Sequence, residues 1–381
     1  MKARILLLSL LVSVTFVNAQ TSDETFQFEG IDRYHKVYIP SDFTPNMSLV
    51  LNLHGYTSNA FQQVFYSNMT AVAEANDFIV VFPDGTTDQY GITFWNSEIL
   101  GEDVNDLGYL SALIDSMVIN YQVNPSRVYM CGMSNGGFMS YYSACQMTDK
   151  LAAIASVTGT MNNVIYDNCN PSRSIPVLEI HGTDDTTVPY LGSGSAGSFQ
   201  TIIATETVVD YWVNHNNCTE NQVVEIDDIS ITDFSTVTRF SYTGGDNGTS
   251  VEHYRINEGG HTWPGSIISL PGVVTNHDII ASEVIWDFFN QYDIDGLLAV
   301  ADIIQESTFT MSPNPMNIST IVNSPFTIEE YIIYDIQGKV VRSHMPSSSQ
   351  ITIERGNMEV GLYILELYGE NEFVRQQLVV Q

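Results

Sequence analysis

One junction constrains the fold of this chain more than any other feature. The apolar run Arg127 to Met130 (RVYM), with Cys131, passes straight into Gly132-Met133-Ser134-Asn135-Gly136. Helical spacing opens immediately afterwards at Gly137-Phe138-Met139. A strand that turns directly into a helix belongs to a layered α/β arrangement, and the rest of the chain repeats the alternation. Ser48 to Leu53 (SLVLNL), Phe78 to Phe82 (FIVVF), Ala152 to Val157 and Pro176 to Ile180 (PVLEI) are short and continuously apolar. Strands covered on both faces of a mostly parallel sheet have this texture. Between them lie helical periods: Leu107, Leu110, Ile114, Met117, Val118 and Tyr121, and later Ile279, Ile280, Val284, Ile285, Phe288 and Phe289. Alternation from Phe26 to about Tyr292 predicts one α/β domain with helices on both sheet faces.

Beyond Asp295 the texture changes. Ser312-Pro313-Asn314-Pro315 is a turn cluster, and short β-type runs follow without helical spacing: Tyr331 to Tyr334, Val340-Val341, Ile351 to Ile353, Leu362 to Leu367 and Phe373 to Val380. This predicts a small all-β sandwich. At the other end, Lys2 and Arg4 precede an apolar run from Ile5 to Val17, and Val17-Asn18-Ala19 places small side chains before Gln20. That is the layout of a cleavable export signal, too short to span a bilayer comfortably; no later apolar stretch reaches the roughly 18–20 residues of a spanning helix. The expected organisation is a signal peptide over 1–19, a catalytic α/β domain over 20–298, a linker over 299–308 and a β-sandwich over 309–381.

Of the 381 residues, 44 are acidic and 13 basic, a net charge of −31, and most of the acidity precedes the tail. Such a field repels nucleic acid, so no nucleic-acid partner is expected. The 44% hydrophobic content excludes extensive disorder. Cys131, Cys145, Cys169 and Cys218 would mature in an oxidising compartment, and their order along the chain leaves three pairings open. No spacing suits zinc, so neither metal nor cofactor is expected.

The chemistry lies on three segments. Gly132 to Gly136 is a G-x-S-x-G, and glycines flanking a serine in a sharp strand-to-helix turn mark Ser134 as a nucleophile. The helix behind it supplies partial positive charge where the reaction develops negative charge. Ile180-His181-Gly182-Thr183-Asp184-Asp185-Thr186-Thr187-Val188-Pro189-Tyr190 leaves the PVLEI strand, and either aspartate could orient an imidazole. His261, in Glu258-Gly259-Gly260-His261-Thr262-Trp263-Pro264-Gly265, is the best placed of the eight histidines to act as base. His54 and His181 follow strands and precede glycine, where structural hydrogen bonding is the expected duty. The amides of Tyr56, after Leu53-His54-Gly55, and of Asn135 are the expected oxyanion hole.

Together, His54-Gly55-Tyr56, Trp95-Asn96, RVYMCGMSNGGFMS, HGTDDTTVPY and GGHTWPG resemble the polyhydroxybutyrate depolymerase and feruloyl esterase-like branch of the α/β-hydrolases, over about residues 25–290. The resemblance implies an α/β-hydrolase fold and a secreted serine carboxylesterase. It implies Asp185 rather than Asp184 as the third member with Ser134 and His261. Family members often carry Cys after His-Gly, where this chain has Tyr56. Many also carry a cysteine near Ser241 to Gly244, which this chain lacks, leaving Cys218 without its usual partner; Cys145–Cys169 is the expected bridge. The tail, through Ser312 to Pro315, Tyr334 to Lys339, Gly361 to Ile364 and Leu378 to Val380, resembles the C-terminal sorting domain of the type IX (Por) secretion system of Bacteroidetes. That implies the type IX machinery as a partner, with passage through the periplasm to the exterior or the cell surface.

Trp95, Trp263 and Tyr190 flank the motifs and are expected to line an aromatic cleft, with Tyr56, Phe61 and Phe138 nearby. Such a cleft suits feruloyl or other acyl esters of plant polysaccharide, or a polyhydroxyalkanoate-type polyester. A peptidase on the same scaffold, or a non-catalytic polysaccharide-binding shell, would be the alternatives.

Overall fold

The computed structural model describes residues 20–98, 103–193, 201–268, 271–298, 310–335, 339–369 and 373–381. The chain divides into two compact units at Leu298. The signal peptide expected over 1–19 and the linker over 299–308 lie outside the described residues, as do residues 336–338 of the tail motif.

The first unit is built on one ten-stranded sheet. Its strands are β1 (Gln20–Phe28), β2 (Ile31–Ile39), β3 (Ser48–Leu53), β4 (Phe78–Pro83), β5 (Val128–Met133), β6 (Ala153–Val157), β7 (Val177–Gly182), β8 (Glu220–Glu225), β9 (Thr236–Thr243) and β10 (Val251–Asn257). Their spatial order is β1-β2-β4-β3-β5-β6-β7-β10-β9-β8. The six strands from β4 to β10 run parallel, and an antiparallel pair extends the sheet at each side. β1 and β2 meet in a two-residue turn whose members, Glu29 and Gly30, both have positive φ, as a tight hairpin requires.

The apolar runs are strands because both faces are covered. Leu49, Leu51 and Leu53 of β3 point into one core, shared with Leu110, Leu113, Ile114 and Met117 of α3 (Asp106–Tyr121). Val50, Val80 and Tyr129 point into the other, with Met69 and Ala73 of α2 (Met69–Asn76) and Ile285 and Phe289 of α7 (Ala281–Phe289). The remaining helices are α1 (Ala60–Ser67), α4 (Asn135–Gln146), α5 (Asn163–Asn168) and α6 (Thr205–His215).

Register positions the site. Leu53 is opposite Gly132, Met133 opposite Val157, and Gly182 opposite Ile256. The carboxyl ends of β3, β5, β7 and β10 therefore finish side by side, and the loops that leave them share one edge, where open α/β sheets bind ligands.

The second unit is a sandwich. A three-stranded sheet of β11 (Thr310–Ser312), β12 (Ser319–Ile328) and β15 (Ser348–Glu354) shares a core with a four-stranded sheet of β13 (Glu330–Asp335), β14 (Val340–His344), β16 (Gly361–Tyr368) and β17 (Phe373–Val380). Val322, Ile353, Ile333, Leu365 and Leu378 are among the side chains buried in it.

Candidate active site

Ser134 occupies the turn between β5 and α4 with φ 54° and ψ −118°. A side chain in this region costs on the order of 1–3 kcal/mol, a strain characteristic of functional turns. The surrounding glycines make the turn sterically possible. A Cβ on Gly132 would lie 2.5 Å from the backbone of Gly136, and one on Gly136 would lie 2.5 Å from Leu53 O. The start of α4 can therefore press directly onto the end of β3. Ser134 N donates to Val157 O at 2.8 Å, tying the turn to β6.

The loop after β3 abuts this turn: a Cβ on Gly55 would be 3.4 Å from Ser134 Cβ. Among the described residues, the amides of Tyr56 and Asn135 donate to no protein acceptor, the condition an oxyanion-binding pair must meet. His54 is structural. Gly85 N donates to its Nε2 at 3.0 Å, and burial lowers its pKa to about 4, so the ring is neutral.

His261 and Asp185 are brought together by two loops. Asp184 N donates to Gly259 O at 2.9 Å and Gly260 N to Val274 O at 3.0 Å, fixing the glycine loop that carries the imidazole. His261 Nδ1–H donates to Asp185 Oδ2 at 2.6 Å. The other carboxylate oxygen, Asp185 Oδ1, accepts from Thr187 N and Val188 N, each at 2.8 Å. Burial works against the charge of Asp185, but hydrogen bonds from His181 and His261 outweigh it and hold the carboxyl well below the usual range. Asp184, its neighbour, is exposed. The two aspartates that the motif by itself left equivalent, and of which the family resemblance implied Asp185, differ in burial.

Ser134 and His261 line one cleft of about 580 Å³, walled by Tyr56, Phe61, Phe65, Tyr66, Met133 and Ile268. Among the described residues, no hydrogen bond joins Ser134 Oγ to the His261 ring. Such contacts are commonly long in free enzymes and tighten around bound substrate. Phe61 and Phe65, one helical turn apart on α1, are 57% and 55% exposed, with ring centroids 4.9 Å apart. The i, i+4 spacing places both on one helix face, and that spacing is the signal through which Phe65 could have been found beside Phe61.

The three aromatic residues expected to bind substrate do not line the cleft. Trp95 is fully buried, Trp263 is 1% exposed and Tyr190 is 6% exposed. Each polar atom is already bonded within the protein. Trp95 Nε1 donates to His54 O at 3.0 Å, Trp263 Nε1 to Ser282 Oγ at 3.2 Å, and Tyr190 Oη to Glu206 Oε1 at 3.0 Å. They support the loops that carry the site. Phe138 is likewise core.

Cys145, on α4, is bridged to Cys169, which follows α5; Cys131 is a buried free thiol and Cys218 a partly buried one. Among the described residues, no group of three His, Cys, Asp or Glu side chains is placed to hold a metal ion, and no helix is long and apolar enough to cross a membrane.

Residues 35–227 match the family described as phospholipase/carboxylesterase, and residues 310–381 match a secretion system C-terminal sorting domain. The chain is 27% identical over 269 residues to a bifunctional acetylxylan esterase/xylanase of Neocallimastix patriciarum, covering 70% of this chain and 34% of that protein. It is 34% identical over 191 residues to feruloyl esterase B of Piromyces equi, covering 48% of this chain and 35% of that protein. The chain thus spans about a third of the length of these curated relatives. Among solved structures, an acetyl xylan esterase from Aspergillus awamori shares the fold, with a TM-score of 0.51 at 14% identity over 71% of this chain and 99% of that one.

Proposed function

Since this chain belongs to the phospholipase/carboxylesterase family, we propose that it is an exported serine carboxylesterase that removes acyl groups from plant polysaccharide. The observation that carries the reading is the buried Asp185 bonded to His261 beneath a cleft that also contains Ser134.

In this reading Ser134 Oγ attacks the ester carbonyl while His261 Nε2 takes the hydroxyl proton. The alkoxide that forms on the carbonyl oxygen is held by the amides of Tyr56 and Asn135. His261 then returns the proton to the departing alcohol, leaving an acyl ester on Ser134. A water deprotonated by His261 cleaves that ester, releases the acid and restores the hydroxyl. Asp185 fixes the ring tautomer and stabilises the imidazolium. The names of the relatives support acetylated or feruloylated xylan as the substrate class, and the apolar walls of the cleft suit a hydroxycinnamoyl group. The C-terminal sorting domain supports delivery by the type IX system to the exterior or the cell surface.

Ferulate release from arabinoxylan, acetate release from acetylated xylan and clearing of a polyester emulsion, measured on one preparation, test the substrate class. The expected result is acid release from polysaccharide with no clearing and no peptide-amide turnover. The nucleophile is tested by fluorophosphonate labelling, which should be lost in Ser134→Ala together with at least about 10⁴-fold of ester turnover. A variant that still hydrolyses esters would overturn the reading.

A further inference from the structure

Behind Asp185 lies a second, wholly buried imidazole that the proposed reaction does not use. Both ring nitrogens of His181 face oxygen. Nδ1 is 2.9 Å from Glu179 Oε1, 3.1 Å from Gly159 O and 3.3 Å from Thr205 Oγ1. Nε2 is 2.9 Å from Val188 O and 3.5 Å from Asp185 Oδ2. A neutral imidazole has a single N–H. With it on Nε2 toward Val188 O, Nδ1 would lie bare 2.9 Å from the Glu179 carboxyl, with the Thr205 hydroxyl at 3.3 Å the more distant donor to it. An imidazolium donates at both short contacts. Glu179 is the carboxyl facing Nδ1: burial pushes its pKa up, the bonds from His181 and Tyr141 act against that rise, and its second oxygen accepts from Tyr141 Oη at 2.8 Å. A line of alternating carboxyl and imidazole groups therefore runs from the core to the cleft: Glu179, His181, Asp185, His261.

We propose that His181 is a positioning residue that stays positively charged at neutral pH, held by Glu179 and gripping both Asp185 and the Val188 carbonyl so that the carboxylate is fixed against His261. This inference rests on the carboxylesterase reading above. Two consequences follow from the geometry. Asp185 and Val188 bracket the turn whose amides bind Asp185 Oδ1, so one cation immobilises the whole turn. A fixed positive charge beside Asp185 also offsets part of its negative charge at the imidazole it faces.

The other groups around this pair do not cancel the effect. Tyr190 meets the His181 ring edge-on at 5.8 Å and bonds Glu206, whose carboxylate lies 3.8 Å from Arg255. His253 bonds Tyr190 at 2.9 Å, and burial lowers its pKa to about 3, so it contributes no second cation. For His181 itself burial opposes the charge, but the bonds to Asp185 and Glu179 prevail and push its pKa up to about 10. Facing His261 directly, the charged partner is Asp185.

The test pairs a spectrum of the unaltered enzyme with one variant. In ¹⁵N-histidine NMR of the full chain at pH 8, one buried histidine should show two protonated ring nitrogens, and that signal should be absent from His181→Gln. A singly protonated His181 at that pH would overturn the proposal, whether or not the variant folds. In folded His181→Gln, kcat should fall about tenfold or more with KM within about twofold, and the acid limb of kcat/KM should move up by roughly one pH unit. A folded variant with the wild-type kcat and limb would also overturn it. Failure of the underlying reading appears differently, as unaltered enzyme whose Ser134 takes no fluorophosphonate label.

Discussion

The side chain of Asn135 grips the main chain of Trp95 at both polar atoms: Oδ1 accepts from Trp95 N at 2.6 Å and Nδ2 donates to Trp95 O at 3.0 Å. Nδ2 also reaches Ser97 Oγ at 3.0 Å, while the indole of Trp95 donates to His54 O. The residue after Ser134 thus ties together the two loops whose amides the proposed reaction uses. Asn135→Ala strands buried polar groups on Trp95 and is expected to cost about 1–3 kcal/mol of stability. A drop in kcat of about tenfold, with KM nearly unchanged, should accompany it. Urea unfolding and steady-state kinetics on a short nitrophenyl ester provide the check.

Asp184 and Asp185 differ by one position and by their burial. Asp185→Asn removes the carboxylate bonded to His261 and favours the wrong ring tautomer, so kcat should fall by about 10²–10⁴-fold. Asp184→Asn, at an exposed position, should stay within about twofold of wild type. Comparing the two variants on one ester settles the assignment, and the opposite ranking would reject it.

Phe61 and Phe65 present the apolar wall of the cleft. Replacing both by alanine removes contacts that only a large acyl group can reach. The kcat/KM for a methyl hydroxycinnamate should drop about 10–100-fold, and that for an acetyl ester should change little. Equal losses on both substrates would show that these rings do not select the acyl group.

The pKa shifts of His181 and Asp185 act on stability at opposite ends of the pH scale. His181 is raised on folding, so its contribution is complete below about 6.5 and is lost as pH climbs toward about 10. Asp185 is lowered, so its contribution is present above about 4 and is lost as pH falls through the folded value. Urea midpoints should therefore decline between pH 7 and pH 10 in the wild type, and His181→Gln should show a flatter profile over that interval.

The Cys145–Cys169 bridge closes a loop with a sequence separation of 24. Replacing both cysteines by serine is expected to lower stability by about 3 kcal/mol through the greater freedom of the unfolded chain. Chemical denaturation of the oxidised enzyme and the double variant measures this.

Much of the fold was legible because its signals are local. A strand buried on both faces must be apolar throughout, and SLVLNL, FIVVF and PVLEI are. The amphipathic period of Leu107 to Tyr121 matched α3 for the same reason. The last helix was less sharply marked. Ile279 and Ile280 continue its apolar pattern, yet α7 begins at Ala281, because Asn276 Oδ1 accepts from Asp278 N and Ile279 N and holds that stretch in a turn.

The elements, and the chemistry each could offer, are properties of the amino-acid order alone. A serine between glycines at a strand-to-helix junction, an aspartate pair after one strand and a histidine in a glycine loop after another are properties of single short segments. Packing chose which side chains face the cleft, and it brings to the imidazole the carboxylate of Asp185, which the family resemblance had implied. Trp95, Trp263 and Tyr190 sit beside motifs in the chain but turn inward, because His54, Ser282 and Glu206 offer partners to their polar atoms. Asp185 rather than Asp184 meets a ring 76 positions away because the parallel register of β7 and β10 brings their two loops together. Burial and partner choice depend on segments far apart in the chain, and only packing sets their distance.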